Sequence, residues 1–330
     1  MVDLVWVSRV ARRSRGVKIK DVEIKMTEST NSTEQPVNAM TVDVEDYFQV
    51  SAFDPFVERS TWDNYAGRVE ESTDRILSIF DQHNVRGTFF TLGWVAEKYP
   101  SLVRRIVEGG HEMASHGWDH MMVTKLSREE FTLDVKRAKQ KLEDTTGVEV
   151  TGYRAPSYSF TKKNDWAHTA LAEAGYRYSS SVAPINHDLY GIPDAPRFVH
   201  SRANGAVVEM PITTMRVLGH NIPCGGGGWF RLYPYLLSQW AIKRVHRKDK
   251  ERAIFYFHPW EIDPKQPRID GLNMRTRFRH YQNLARMEPR VEQLLQDFEW
   301  GTMAEVFAAE LPWLVLATQI SAAQTPGGYS

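Results

Sequence analysis

The chain has 330 residues, 42% of them hydrophobic and 25% charged, which is enough apolar material for one large domain or two small ones. Lysine plus arginine and aspartate plus glutamate both number 41, so the formal net charge is zero, and this argues against a nucleic-acid role built on phosphate neutralisation. A single cysteine, Cys224, rules out an intrachain disulfide, and its setting NIPCGGGGWF reads as a turn rather than as a nucleophile site.

Residues 1–25 begin with Val2, Leu4, Trp6 and Val7, followed by Arg9, Arg12, Arg13, Arg15, Lys18 and Lys20. An export signal places its basic residues before a continuous apolar stretch. Here the order is reversed and the stretch is broken, so the expectation is no export signal and a cytoplasmic protein, with a periplasmic or membrane-associated one as the alternative. No run approaches the ~20 apolar residues of a membrane-spanning helix, although a basic amphipathic contact of this tail with a membrane surface stays open. The polar stretch TESTNSTEQPVN reads as a linker. Residues 1–38 are therefore expected to be a poorly ordered extension, 39–320 the folded domain and 321–330 a flexible tail.

Met40 to Glu45 reads as the first core strand. A helix follows over Val69 to Phe80, with Ile76, Leu77 and Phe80 on its apolar face, and then the β-rich run Gly87 to Gly93. Pro100 opens a helix lined by Leu102, Val103, Ile106 and Val107 and stopped by Gly109–Gly110. HEMASHGWDH begins directly after, at the end of another short strand. Ser127 and Glu130 form a capping box with Leu126 and Phe131 as staple, predicting a helix from Arg128 to Glu143 that buries Phe131, Val135, Ala138 and Leu142. Beyond it come GYRAPSYSF, a helix near Asp165 to Ala174, strands near Val207 to Ile212 and Ala253 to Phe257, and a helix near Val291 to Phe298. This alternation predicts a parallel sheet with helical crossovers, open or closed into a barrel.

His116 and His120 lie four apart, so in a helix one metal ion could bridge them. With 11 histidines in the chain, roughly 0.4 such pairs arise by chance, and the pair needs company. TVDVEDYF supplies it. Asp43, Glu45 and Asp46 crowd the end of an apolar strand, where charges are costly unless paired or bound to a cation. Asp43 and Glu45 share a face by strand alternation, and two such carboxylates can divide into a metal ligand and a base. Arg154, in GYRAPSY, is placed to hold a carboxylate. His258 ends the apolar run AIFYF, the position from which active-site groups emerge in parallel α/β folds. His111 follows the Gly-Gly turn and reads as structural.

In order and spacing, TVDVED, SHGWDH, YRAPSY and FYFHP resemble the successive motifs of the polysaccharide deacetylases, the NodB-homology proteins of carbohydrate esterase family 4. VDVEDYF, GGGGWFRLYPY and HYQNLARMEPRVEQLLQDFEWGTM resemble more closely the subfamily associated with exopolysaccharide gene clusters and the exosortase/PEP-CTERM system. The similarity runs from Met40 to Leu314. It implies a distorted (β/α)7 barrel, with 39–185 carrying the core motifs and 186–320 a subfamily-specific continuation.

It also implies a zinc-type site of one carboxylate and two histidines, a donor set that suits cobalt or nickel as well. Carried over by motif, Asp43 is the base, His116 and His120 are ligands, Arg154 orients Asp43, and His258 is the acid that protonates the leaving amine. The usual adjacent Asp-Asp pair is opened here to Asp43-Val44-Glu45-Asp46. Glu45 is the favoured third ligand and Asp46 the alternative. Pro156, Ser157 and Tyr158 line the substrate side, with a backbone N–H near Pro156–Ser157 at the oxyanion. Where many relatives carry an aspartate and a tryptophan for the acetyl pocket, this chain has YRYSSSVAP, and Trp229 or Trp260 is assigned in their place. The expected substrate is an N-acetylated glycan. A small-amide hydrolase on the same fold and a non-catalytic carbohydrate-binding protein are the alternatives.

Overall fold

The computed structural model describes residues 36–186 and 190–311. The expected extension 1–38, except for its last three residues, and the expected tail 321–330 lie outside the described residues. Chain order begins with β1 (Asn38–Val44), α1 (Val69–Gln82), β2 (Thr88–Thr91), α2 (Gly93–Lys98), α3 (Pro100–Glu108) and β3 (Glu112–Ser115). It continues with α4 (Arg128–Thr146), β4 (Gly152–Tyr153), α5 (Trp166–Glu173), β5 (Tyr178–Ser179), β6 (His200–Arg202) and β7 (Val207–Glu209). Next come β8 (Thr214–Val217), β9 (His220–Pro223), α6 (Gly227–Leu232), α7 (Tyr235–Arg244) and β10 (Ile254–Phe257). The last elements are α8 (Met274–Tyr281), α9 (Met287–Asp297), β11 (Trp300–Gly301) and α10 (Met303–Val306).

The strands pair in the order β10-β1-β2-β3-β4-β5-β7-β6. Every pair from β10 to β7 is parallel, and β6 closes the edge antiparallel to β7. This is a curled half-barrel sheet, the distorted (β/α)7 barrel that the sequence resemblance implies. No strand of the described residues joins β7 to β10. The gap is spanned by single bonds instead: Ile254 N donates to Thr213 Oγ1 (2.6 Å) and Tyr256 N to Gly225 O (2.8 Å).

Strand alternation explains how the sheet is filled on both faces. Met40, Val42, Val44, Phe89, Met113, Phe255 and Phe257 pack outward with the helix residues Ile76, Phe80, Leu102, Val103, Ile106 and Leu294. Ala39, Phe90, Ala114, Tyr178, Val208 and Ile254 form the inner cluster. Thr41 and Asp43 fall on that inner side by the same period of two, and His258 follows Ile254 and Tyr256 onto it. A polar group there faces the hollow of the barrel at the carboxyl ends of its strands, which is where this class of fold builds its sites.

Local signals account for the helix ends. Ser127 Oγ accepts from Glu130 N while Glu130 Oε2 accepts from Ser127 N, so both halves of the capping box form. Gly147, at φ +72°, ends α4 three residues later than the sequence pattern indicates. Helix α9 starts at Met287, a turn before the expected Val291, because Met287 is itself buried in the core.

Candidate active site

The inner end of β1 carries the first acids. Asp43 Oδ1 accepts from Arg154 Nη1 at 2.5 Å, and both side chains are buried. Arg154 is held by Thr41 Oγ1 (2.8 Å), by the Ser180 carbonyl (3.2 Å) and by Ser180 Oγ (3.1 Å), and its guanidinium lies 3.9 Å from the Phe90 ring centre. A buried ion pair adds little net stability, since desolvating each ion costs several kcal/mol. What it gives here is geometry: Asp43 Oδ1 is immobilised and Oδ2 is left facing the hollow. The YRYSSSVAP segment takes part through Ser180 on Arg154 and Ser181 Oγ, which accepts from Ala155 N at 2.9 Å.

After Val44 the backbone turns, with Glu45 N donating to Asp43 O at 3.1 Å, and Glu45 points into the same hollow. Its Oε1 accepts from Trp260 Nε1 (3.1 Å), and its Oε2 lies 2.7 Å from His120 Nε2. His116 follows β3, its Nδ1 2.8 Å from the Arg154 carbonyl. That oxygen can only accept, so Nδ1 carries the proton and Nε2 keeps its lone pair. His120 Nδ1 pairs with Ser51 Oγ at 3.2 Å, and Ser157 Oγ donates to the same serine at 2.8 Å.

The two histidines are not on a helix. Gly117 at φ +77° and His120 at φ +59° fold residues 116–120 into a tight turn, held by Asp134, whose carboxylate accepts from Trp118 N at 3.2 Å. A side chain at 117 would sit 3.0 Å from that carboxylate. Four-residue spacing therefore brings the rings together, 5.2 Å between centres, by a left-handed turn instead of by helical periodicity.

Glu45, His116 and His120 offer ligand atoms within 4.8 Å of one another, all buried. Glu45 Oε2 has no hydrogen-bond donor although the His120 nitrogen is so close. That unsatisfied buried oxygen, and the convergence of one carboxylate and two imidazoles on one point, fit a divalent metal with three protein ligands and open positions. Burial lowers the pKa of His116 to about 4, against the pull of Asp43, which keeps it neutral as ligation needs. Burial disfavours the Glu45 charge, but His120 and His258 outweigh it and its pKa is lowered.

Asp46, the alternative third ligand, is turned away. Its Oδ1 accepts from Tyr47 N (2.9 Å) and its Oδ2 from Arg68 N (2.7 Å) and Val69 N (3.0 Å), capping the start of α1. Burial raises its pKa to about 6 despite those amides. The turn after Val44 separates it from Glu45, and its capacity as an acceptor is spent on backbone.

His258 closes the group, its Nε2 3.9 Å from Asp43 Oδ2 and 3.7 Å from Glu45 Oε1. Its Nδ1 meets Glu261 Oε1 at 2.7 Å, and Glu261 is held from behind by Arg231 Nε at 2.6 Å. Burial opposes the imidazolium, but Glu45, Glu261 and Asp43 prevail and raise its pKa to about 9. With 19% of its side chain exposed, against 2% for Asp43 and Glu45, it is the group on the solvent side.

Glu261, Arg231 and Ser51 do not stand out in the sequence reading. An acid three residues after His258 and a lone arginine inside the apolar WFRLYPYLL were the available signals for the first two; Ser51 had none. Gly227 is required because a Cβ there would lie 2.3 Å from Glu261 Oε1. Trp260 stacks on His258 (5.0 Å, 19°) and on His280 (4.1 Å, 15°), so it walls the site and orients Glu45. Trp229 stacks on Tyr233, with 5.5 Å between ring centres, and not on a residue of the group. Pro156, Ser157 and Tyr158 form a turn with Ser157 at φ +53° and Tyr158 at φ +50°; the buried Tyr158 hydroxyl has no hydrogen-bond partner.

Comparison with known proteins gives two consecutive matches. Residues 57–179 match the polysaccharide deacetylase family, and residues 180–308 match a domain of unknown function, DUF3473. The peptidoglycan-N-acetylglucosamine deacetylase PgdA of Listeria monocytogenes is 36% identical over 91 residues, which is 28% of this chain and 20% of that protein. The peptidoglycan deacetylase of Helicobacter pylori is 26% identical over 118 residues, 36% of this chain and 39% of the relative. The chain thus spans well under half the length of these curated relatives. A crystal structure from Mycobacterium smegmatis, named for the polysaccharide deacetylases, superposes with a TM-score of 0.55 at 19% identity, covering 92% of this chain and 96% of that one, and shares the fold.

Proposed function

Because this chain carries a polysaccharide deacetylase domain, we propose that it is a metal-dependent hydrolase that removes N-acetyl groups from an N-acetylhexosamine-containing polysaccharide or its precursor, releasing acetate. The observation that carries this is the convergence of Glu45, His116 and His120 on one point beside an arginine-held Asp43 and a glutamate-held His258. The resemblance of GGGGWFRLYPY and the 280–303 segment to the exopolysaccharide-associated subfamily supports an exopolysaccharide as the glycan.

Glu45, His116 and His120 would hold the cation, zinc by preference, with cobalt or nickel also suited to two imidazoles and a carboxylate. A cation held there would supply Lewis-acid polarisation of the acetyl carbonyl and a lowered pKa for the attacking water. Asp43 Oδ2, free of the arginine, takes the proton of that water. In the Pro156 turn, Tyr158 N and Ser159 N are used by Ala155 O and Pro156 O, so Ser157 N is the donor for the oxyanion. His258, protonated through Glu261, gives its proton to the departing sugar amine.

Purified protein incubated with N-acetylglucosamine oligomers should release acetate, lose that activity to a chelator and regain it with zinc. Asp43→Asn should cut turnover by about 10²–10⁴-fold with metal content unchanged. Acetate released from small amides but not from the oligomers, or glycan binding without acetate, would defeat the proposal.

A further inference from the structure

Although the chain is neutral overall, its charge is not evenly spread. From Gly227 to Lys250 there are six lysines and arginines and one acid, Asp249. Arg231 is buried against Glu261, and Asp249 is taken by Arg197 at 2.9 Å. Lys243, Arg244, Arg247, Lys248 and Lys250 therefore stand around the end of α7 without a neighbouring acid from their own segment.

The same helix exposes apolar side chains. Leu236 is 71% exposed, Trp240 41% and Leu237 39%, with Leu232 also exposed at the end of α6. Leu236, Trp240 and Arg244 are spaced four apart and so lie along one line of α7. Arg244 sits 5.7 Å from the Trp240 ring centre, at the boundary between the apolar stretch and the basic end. The opposite side of α7 is packed: Ala241 and Val245 meet Met215 and Cys224, and Ile242 enters the main core. Arg244 Nη2 also ties the helix to the β8–β9 hairpin through Arg216 O at 3.1 Å, and the hairpin tip presents a further exposed leucine, Leu218.

A helix anchored by one face, with leucines and a tryptophan on the other and basic residues at its edge, has the composition of an interfacial membrane contact. A protein interface centre of this size would be depleted of lysine and enriched in aromatic residues, whereas here leucine predominates and the rim is cationic. We propose that this α6–α7 face docks the protein on an anionic lipid surface, the leucines and Trp240 entering the headgroup boundary and Arg244, Arg247 and Lys248 contacting the headgroups. Gly227, at the start of α6, backs onto Glu261, so the docked surface begins within about 8 Å of helix rise from the active-site wall. The inference does not depend on the reaction proposed above.

Full-length protein should sediment with vesicles of phosphatidylcholine mixed with phosphatidylglycerol, less with phosphatidylcholine alone, and less at high salt. Leu236→Asp combined with Trp240→Asp should return it to the supernatant. Arg247→Gln and Lys248→Gln should each weaken partitioning about fivefold. All these exposed-site variants should keep their circular dichroism and their acetate release from soluble oligomers. Failure of the wild type to sediment with either vesicle overturns the proposal. So does undiminished binding by the variants, which would move the lipid contact elsewhere in the chain. Sedimentation velocity that shows a dimer abolished by the Leu236→Asp change also overturns it, because a second copy would then cover the face.

Discussion

Three acids lie within one site, Asp43, Glu45 and Glu261, and their roles are separated by what holds each. Asp43 has an arginine, Glu45 has two histidine rings and an indole, and Glu261 has a histidine in front and an arginine behind. Glu261 is a positioning residue: it touches neither the triad nor Asp43 but fixes the proton on His258 Nδ1. Glu261→Gln keeps the shape and removes the charge, leaving Arg231 unbalanced. It should lower kcat about 10²-fold or more with little change in KM, and move the basic limb of the pH profile down; an unchanged profile would assign Glu261 to structure alone. His111 tests a different point. It is buried against Phe80 and Phe89, its Nδ1 accepts from Gly87 N at 3.2 Å, and burial lowers its pKa to about 4. The unfolded chain protonates this ring from about pH 6.5 while the folded one does not, so its contribution is full above that pH and declines as pH falls. Denaturant melts of wild type and His111→Gln should therefore show a difference that shifts against the wild type by about 1.4 kcal/mol per pH unit between pH 6.5 and 4.

Among the elements, α4 is the one whose sequence pattern is most complete, and its capping box and apolar positions Phe131, Val135, Ala138 and Leu142 are all realised. It also carries Asp134, which fastens the turn bearing both histidines, so its N-terminal half links packing to chemistry. Ser127→Ala should cost about 1 kcal/mol, or about 2–4 °C in melting temperature, with metal content unchanged; loss of metal would mean that fraying reaches Asp134. Asp134→Ala should loosen the 116–120 turn and weaken metal retention more than it lowers stability. The histidine turn marks where reading by element stops short. Its spacing fits a helix, yet Gly117 and His120 at positive φ make it a loop, since the turn must reach back from β3 towards Glu45. The strands are legible because runs such as TVDV and IFYF are rich in β-branched and aromatic residues, and they are buried almost throughout, as a sheet covered by helices outside and filled inside requires.

For the molecule as a whole, the Glu45, His116 and His120 cluster joins the chain after β1 to the turn after β3, so a cation held there would link separated parts of the half-barrel. A ligand that binds only the folded state stabilises it by mass action, about 4 kcal/mol at a thousandfold excess over its Kd. Chelation should lower the melting temperature and zinc should restore it, a readout independent of turnover; His116→Ala should abolish the response. Asp43, Glu45 and His258 could be picked out from the chain because each stands at the polar end of an apolar run, where an ionisable group needs a reason to be, whereas His116 and His120 were picked out by their four-residue spacing and Arg154 as a cation between two hydrophobic segments. The alternation of strand and helix likewise implies a parallel, curled sheet, since consecutive parallel strands need crossovers. What folding settled is how those ends meet. Asp46 was drawn off to cap α1, leaving Glu45 in the hollow. Arg231 was brought from α6 to stand behind Glu261, three residues past His258, and Ser180 was set on Arg154. Such contacts depend on the curvature of the sheet and on loops that cross its gap, and a local pattern of hydrophobicity or charge carries no record of either.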